Sequence, residues 1–263
     1  MLNIIACIKV VTDPEAPTST FKLDPEGQHV IPGPGVPPVL NPYDENCLEA
    51  ALKIKEAQPV KITVMSMGRE VPKAVIKKSL AVGADELVLL EDELFEGVDS
   101  CTAAVILARA IEKIGEYDLI LTGRMAADTN AGQVGLVIAD LLGIPAVAVA
   151  RKIEVNDNIA KIEQVTTDGY QIIKTTLPCL VTISHEIGDM RSATVKGLIA
   201  AQKQPFTSWK APDLGIESGT NGRSKRLKMF IPEKNVIIEM ITGDTLEESG
   251  ENLAERVINL TNH

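Results

Sequence analysis

Residues 122–135 read TGRMAADTNAGQVG, between an apolar run and a helical pattern. The side chains of Thr129 and Asn130, and the free amides of the helix start, are donors for an anionic group, and the helix dipole favours negative charge there. Gly123 and Gly132 let the backbone come close to a ligand. Arg124 adds a fixed positive charge. The chemistry that fits is capture of a phosphate-bearing nucleotide, although the spacing is not that of the usual glycine-rich dinucleotide fingerprint. An ordinary loop entering a capped helix has the same spacing. Other short stretches could share one rim with it: Cys7, Ile8 and Lys9 after the first apolar run; Asn41, Pro42, Tyr43 and Asp44 at the end of a long loop; Ser66, Met67 and Gly68 after the next run. Taken singly, each has an ordinary reading, with Lys9 as a solvated charge, Asn41-Pro42 as a turn and Met67 as core filler. Asp99, Ser100 and Thr102 stand at a further helix start beside the proposed crevice.

No acid–base or metal constellation accompanies them. The three histidines, His29, His185 and His263, are scattered, and Cys7, Cys47, Cys101 and Cys179 form no C-x-x-C pair. Free thiols in a reducing cytoplasm are the expectation, without disulfide, zinc or iron–sulfur site. The sequence therefore offers no catalytic residue. Acidic residues outnumber basic ones 36 to 26, and aromatics are 3% of the 263 residues. Both features argue against nucleic acid, which needs cations and stacking platforms. The basic cluster Arg223, Lys225, Arg226 and Lys228 is read as a solvated face or a partner contact. The N-terminus is too short and too lightly flanked for a signal peptide, and no apolar run is long enough to span a bilayer.

The elements that must position these residues alternate. Apolar, β-branched runs at 3–10, 60–67, 85–90, 117–122 and 145–150 are separated by helical spacings. Cys47, Ala50, Ala51 and Ile54 form one such face, and Ala104, Leu107, Ala108 and Ile111 another. Val134, Val137, Ile138 and Leu141 form a third. The stretch 70–82 is a weaker helix, and Asp44 and Asp99 stand at expected N-caps. The pattern predicts an α/β fold with a doubly wound, mostly parallel sheet, Rossmann-like and of the adenine-nucleotide-binding type. Residues 12–42 form a Pro- and Gly-rich loop or short hairpin. After Pro145, Asn-Asp and Asp-Gly turn signals predict antiparallel strands added to the sheet edge, with 179–184 as a last central strand. Residues 189–244 show little periodicity and read as a long irregular arm before a helix near 246–260.

The stretches ACIKVVTD, NPYDENCLEAALKIKE, ITVMSMG, SLAVGADE, LTGRMAADTNAGQVGLVIADLLGIP, LPCLVTIS and MRSATVKGLIAA, in this order over nearly the whole chain, resemble the β subunit of electron-transfer flavoproteins. The resemblance implies a heterodimer whose α subunit carries FAD while the β subunit holds a second adenine nucleotide. That nucleotide is AMP in ordinary carriers and FAD in electron-bifurcating members. Carried over residue by residue, the contacts are Cys7, Asn41, Pro42, Tyr43, Asp44, Met67, Gly123, Arg124, Ala126, Asp128, Thr129, Asn130, Gly132, Gln133 and Val134, to which the rim at the strand ends adds Lys9. FEGVDSCTAAV resembles the F-x-G-x-D-[ST] segment of bifurcating subunits and adds Asp99, Ser100 and Thr102. This chain departs from that pattern at Ser100, usually Thr, and at Ala103 and Ala104, usually hydroxyl residues.

The resemblance implies an organisation of residues 1–188 as nucleotide-binding domain, 189–204 as partner recognition loop, and 205–263 as an arm and helix packed on the α subunit. The implied function is NADH oxidation at FAD in the cytoplasm. One electron goes to ferredoxin and the other, through the α-subunit FAD, to an acyl-CoA or hydroxyacid dehydrogenase. The alternatives are a plain electron carrier with structural AMP and a nucleotide sensor of the universal-stress type. The arm and the recognition loop speak against the sensor.

Overall fold

The computed structural model describes residues 1–25, 30–217, 222, 224, 227–231 and 238–261. His29, His263, Arg223, Lys225 and Arg226 lie outside the described residues. The first strand, β1 (Leu2–Cys7), leads into an insertion built from β2 (Val10–Thr12), β3 (Lys22–Leu23), β4 (Val30–Ile31) and β5 (Pro38–Leu40). In the insertion β2 pairs with β5 and β3 with β4, both antiparallel, which is the expected hairpin character. Next come α1 (Pro42–Ala57), β6 (Val60–Gly68), α2 (Lys73–Ile76), α3 (Lys78–Val82), β7 (Glu86–Glu91), α4 (Ser100–Ile114), β8 (Leu119–Gly123) and α5 (Val134–Leu142). The chain continues through β9 (Ala146–Asn156), β10 (Ile159–Thr166), β11 (Gly169–Thr176), β12 (Cys179–Ile183), α6 (Val195–Lys203), β13 (Thr207–Trp209) and α7 (Leu246–Thr261).

Nine strands form one sheet in the order β11-β10-β9-β12-β8-β1-β6-β7-β13. From β1 the chain winds outward through β6 to β7, then returns across β1 to β8. The switch point lies between β1 and β8, whose register runs from Ile4 opposite Leu119 to Cys7 opposite Thr122. In open α/β sheets ligands bind at the carboxyl ends of the strands at such a point. Both faces of the sheet are covered, so the central strands are apolar on both sides. Leu48, Ile76, Leu80 and Ala201 from α1, α2, α3 and α6 fill one core, and Ala104, Ile106, Ile111 and Ile138 from α4 and α5 fill the other. β9, β10 and β11 make the expected antiparallel extension. Asp157 and Asn158 take left-handed φ values of 47° and 65° at the first of its turns.

Several expectations change. The run at 145–150 and the segment after it are one strand, β9, parallel to β12 from Ala146 to Ala150 and antiparallel to β10 from Ala150 to Asn156. The weak helix at 70–82 is two short helices. The helix after the 122–135 loop begins at Val134, once Asn130 and Gly132 have taken left-handed φ values of 50° and 63°. Asp44 is not an N-cap: Asn41 holds that position, Pro42 follows, and Asp44 lies within the first turn of α1. Asp99 does cap α4, accepting the Thr102 N–H at 2.8 Å.

The segment 189–217 is not irregular. Thr194 caps α6 by accepting the Gly197 N–H at 3.0 Å, and β13 extends the sheet alongside β7. A three-residue strand carries no readable period, and its partner strand supplies the pairing. Lys77 fixes the end of α6, donating to Gln202 O at 2.8 Å and Gln204 O at 3.1 Å, with Phe206 below its ammonium. Arg191 is held before the helix by Glu49 at 2.8 Å and Glu56 at 2.6 Å. Close packing requires Gly197, because a Cβ there would meet Ala81 O and Thr194 Oγ1.

The described residues fall into two compact units, Met1–Leu227 and Lys228–His263. The second contains α7, whose Thr245 accepts the Glu248 N–H at 3.1 Å; Arg256 pairs with Glu239 at 2.9 Å. No residue of α7 is buried. Leu253, Val257 and Leu260 on it are all exposed.

Lys77→Met is expected to leave two carbonyls without their charged donor and to destabilise the end of α6 by about 1–3 kcal/mol. Amide exchange should accelerate over 200–204 with the central strands unchanged. Unaltered exchange there would show that the ammonium does not hold the helix.

Candidate functional site

Three chain segments meet over the carboxyl ends of β1, β6 and β8, and Asp44 joins two of them. Its carboxylate accepts the Lys9 N–H at 2.7 Å and the Gly123 N–H at 3.0 Å, so the first turn of α1 grips the exits of both strands at the switch point. Gly123 is required by this grip. A Cβ there would run into the Asp44 carboxylate and would lie 2.6 Å from Tyr43 C and 2.7 Å from Tyr43 O. Burial pushes the Asp44 carboxyl up from 3.8 to about 7, against the opposing pull of its N–H donors. The Cys7 thiol beside it is pushed up to about 12, by burial first and by the Asp44 charge second.

Asn41, fully buried, braces the next stretch. Its side-chain amide donates to Met125 O at 2.9 Å, and its carbonyl oxygen accepts the Ala127 N–H at 3.0 Å. Its own N–H donates to Lys9 O at 2.8 Å. The loop after β8 is thus held to the start of α1 at two points. It then turns on itself, with the Asn130 N–H donating to Ala126 O at 2.8 Å. Gly135 admits the start of α5 against the sheet, since a Cβ there would meet Thr122 Oγ1 at 2.6 Å.

These elements enclose a cavity of about 600 Å³. Of the residues expected from sequence, Cys7, Lys9, Asn41, Asp44, Met67, Ser100, Gly123, Arg124, Ala126, Asp128, Thr129, Gly132, Gln133 and Val134 line it. Pro42, Tyr43, Asp99, Thr102 and Asn130 are not on its wall. Pro42 begins α1, and Tyr43 lies under the Arg124 guanidinium at 4.8 Å. Asp99 and Thr102 form the cap of α4, and Asn130 makes the turn. The wall also includes Arg69 to Pro72 after β6, Phe95 to Val98 before α4, and Met125. The rule that sites gather at the carboxyl ends of strands could have found the first two groups, because they follow β6 and β7 directly.

The cavity's charges are unevenly committed. Lys9 pairs with Asp128 at 2.6 Å, and Arg69 with Glu93 and Glu96. Arg124 makes no ion pair among the described residues, and its buried Nε has no hydrogen-bond partner there. Ser66 Oγ, also buried on the wall, has none either. Orphaned buried polar atoms are uncommon, and both of these belong to residues that line this cavity. The first N–H groups of α5 lack intrahelical acceptors by the geometry of any helix start, and Gly132 to Gly135 bring them to the wall. These residues and Arg124 line the same cavity. The described residues contain no cluster of three or more His, Cys, Asp or Glu suited to a metal, and no helix long and apolar enough to cross a membrane.

Residues 34–214 match the electron transfer flavoprotein domain. The caffeyl-CoA reductase–Etf complex subunit CarD of Acetobacterium woodii is 37% identical over 261 residues, covering 97% of this chain and 98% of that protein. The electron transfer flavoprotein subunit beta of Thermoanaerobacterium thermosaccharolyticum is 36% identical over the same length and shares. The FixA protein of Azorhizobium caulinodans is 33% identical over 224 residues, 82% of this chain and 78% of its own. The chain belongs to the electron transfer flavoprotein β-subunit family.

Asp44→Asn should loosen the switch point, because an amide can accept from only one of the two N–H groups. The expected loss is about 1–3 kcal/mol. The pH dependence has a definite sign. A carboxyl raised in the folded state holds its proton there while the unfolded chain has released it, so its contribution is full below 3.8 and is lost as pH rises towards about 7. Denaturant midpoints of wild type and variant, measured across that range, should show the wild-type margin shrinking as pH rises. A margin that grows would place the carboxyl below its ordinary value.

Proposed function

We propose that this β subunit binds FAD in the cavity between α1, α4 and α5, oxidises NADH there, and divides the electrons. One goes to ferredoxin and the other, through FAD on an α subunit, to an acyl-CoA or hydroxyacid dehydrogenase. The observation that carries this reading is the extent of the cavity. It continues from the α5 start across the end of β6 to Val98, Ser100 and Ala103 at the start of α4. One helix start suffices for the single phosphate of AMP. A second, with the hydroxyl of Ser100, suits the second phosphate and the ribityl chain of FAD. The name of the Acetobacterium woodii relative, which places it in a complex with a caffeyl-CoA reductase, supports an acyl-CoA-linked partner.

A bound flavin would supply the conversion between two-electron and one-electron transfer. The chain's own part is positional. Gly132 to Gly135 present amides to a phosphate, Arg124 offers an unpaired cation, and the Asn41 brace holds the loop that carries it. Asp44 is committed to two backbone N–H groups. We further propose that α6 and the residues before it form the docking element for the dehydrogenase, because Val195, Leu198 and Ile199 stand exposed on a helix fixed at its far end. The unit 228–263, with no buried residue on α7, packs on the α subunit in this reading.

One observation favours structural AMP instead. Ala103, where the bifurcating pattern has a hydroxyl, lines the cavity and offers no hydrogen bond. The departure at Ala104 carries no such weight, because that position is buried in the core and a hydroxyl there would not reach a ligand.

The two readings separate on what the protein, purified with its α subunit, releases on unfolding. Two FAD per heterodimer is the expected result, and one FAD with one AMP would leave a plain electron carrier. Thr129→Val with Gly132→Val should empty this subunit's site and spare the α-subunit FAD, since valine is strained at the φ of 63° that Gly132 adopts. Full occupancy in the double variant would overturn the loop assignment.

A further inference from the structure

Among the described residues three cations line the cavity, and two are tied to carboxylates: Lys9 to Asp128 at 2.6 Å, and Arg69 to Glu93 at 3.4 Å and Glu96 at 3.1 Å. The third, Arg124, is held by a ring instead. Its guanidinium carbon lies 4.8 Å from the centre of the Tyr43 ring, and its Nη2 stands 3.5 Å from the Tyr43 hydroxyl oxygen. That hydroxyl is at the outer limit of a hydrogen bond, so the ring face carries the contact. Tyr43 is half-buried and is not itself on the cavity wall. The meeting of the two side chains follows from the switch point. Tyr43 precedes Asp44, whose carboxylate accepts the Gly123 N–H at 3.0 Å, and the backbone at Gly123 passes so close to Tyr43 that no Cβ fits between them. The Arg124 N–H donates to Ile183 O at 3.1 Å, which fixes its backbone as well. Both side chains therefore leave neighbouring, anchored stretches of chain.

What holds a cation decides what the cation can still do. A carboxylate cancels the charge it pairs with, whereas an aromatic face attracts a guanidinium through its quadrupole and leaves the positive charge uncompensated. An arginine side chain is also long and rich in rotamers, and one left unrestrained must be ordered when a ligand arrives. Stacking orders it beforehand without neutralising it. We propose that Tyr43 is the positioning residue for Arg124: its ring holds the guanidinium at the cavity wall as a cation kept free for the negative charge of the bound ligand, and Tyr43 itself need not touch that ligand. The inference rests on the reading of the cavity as a nucleotide site and adds the residue that keeps the wall's uncommitted cation in place.

The quantity to measure is the AMP affinity of the complex with the α subunit after nucleotide depletion, with Tyr43 and Arg124 changed singly and together. Tyr43→Leu should weaken AMP binding about threefold to tenfold, the scale of one cation–π contact. Tyr43→Phe keeps the ring and should stay within about twofold of wild type. In an Arg124→Gln background, itself weaker for AMP, Tyr43→Leu should weaken binding no further, because the ring acts only through the guanidinium. Adenosine, which lacks the phosphate charge, should compete equally well for the Tyr43→Leu protein and wild type. Wild-type AMP affinity in Tyr43→Leu, a Tyr43→Phe protein as weak as Tyr43→Leu, or the same loss from Tyr43→Leu with and without Arg124 would each overturn the assignment. An equal loss for adenosine would do so too, since a ring that merely supports the fold weakens both ligands alike. If wild type binds neither AMP nor FAD, the nucleotide reading fails first and takes this inference with it.

Discussion

The Asp44 carboxylate, by taking the N–H groups of Lys9 and Gly123, ties the exits of two strands that the chain visits far apart in sequence. Nothing else among the described residues fixes the switch point so directly. β1 and β8 run parallel and side by side, and their loops leave towards solvent at the same level. Without an acceptor between them, two backbone donors would be buried unpaired at the place where the sheet must open. The tie sets further requirements. It demands glycine at 123, because any Cβ collides with the Asp44 carboxylate and with Tyr43. It also places Asn41 under the loop that follows.

The consequence is a preformed site. Asn41 fixes Met125 and Ala127, and the left-handed residues Asn130 and Gly132 then deliver the chain to the start of α5. Ordering these residues in advance lowers the entropy cost of binding. The chain contributes arrangement and little chemistry of its own: a cation without an acidic partner, amides at two helix starts, and a carboxyl already committed to the fold. This division suits an electron-transfer subunit, in which reactivity belongs to a cofactor and the protein governs geometry.

The sequence made the parallel half of the fold legible because its strands are short apolar runs and its helices show clean i, i+3, i+4 faces. The hairpins were legible from Asn-Asp and Asp-Gly. What escaped lies where tertiary contacts outweigh local pattern. Asp44 has the side chain of an N-cap, but it sits inside the helix and serves two distant strands. β13 is too short for a period and exists because β7 offers an unpaired edge. α6 is nine residues long; Lys77 reaches its end from another part of the chain, and Arg191, just before it, is held by Glu49 and Glu56. Within the site, most of the expected residues line the cavity. Asp99 and Thr102 do not, because the cap they form consumes their polar groups. Ser66 showed in sequence only as part of a strand end, and its unpaired hydroxyl becomes visible once its neighbours are in place.

In the proposed function, the α1 start preorganises the loop after β8 for a nucleotide phosphate. Asn41→Ala tests it directly, because Asn41 braces the loop through its side chain while its backbone can still cap α1. The affinity of the nucleotide-depleted complex for AMP is the quantity to measure, with amide exchange over 124–131 followed in the same samples. Affinity should fall about tenfold or more, with faster exchange before AMP is added and recovered protection afterwards. An unchanged affinity in a variant whose loop has loosened would contradict it, because the nucleotide would then bind without needing the brace.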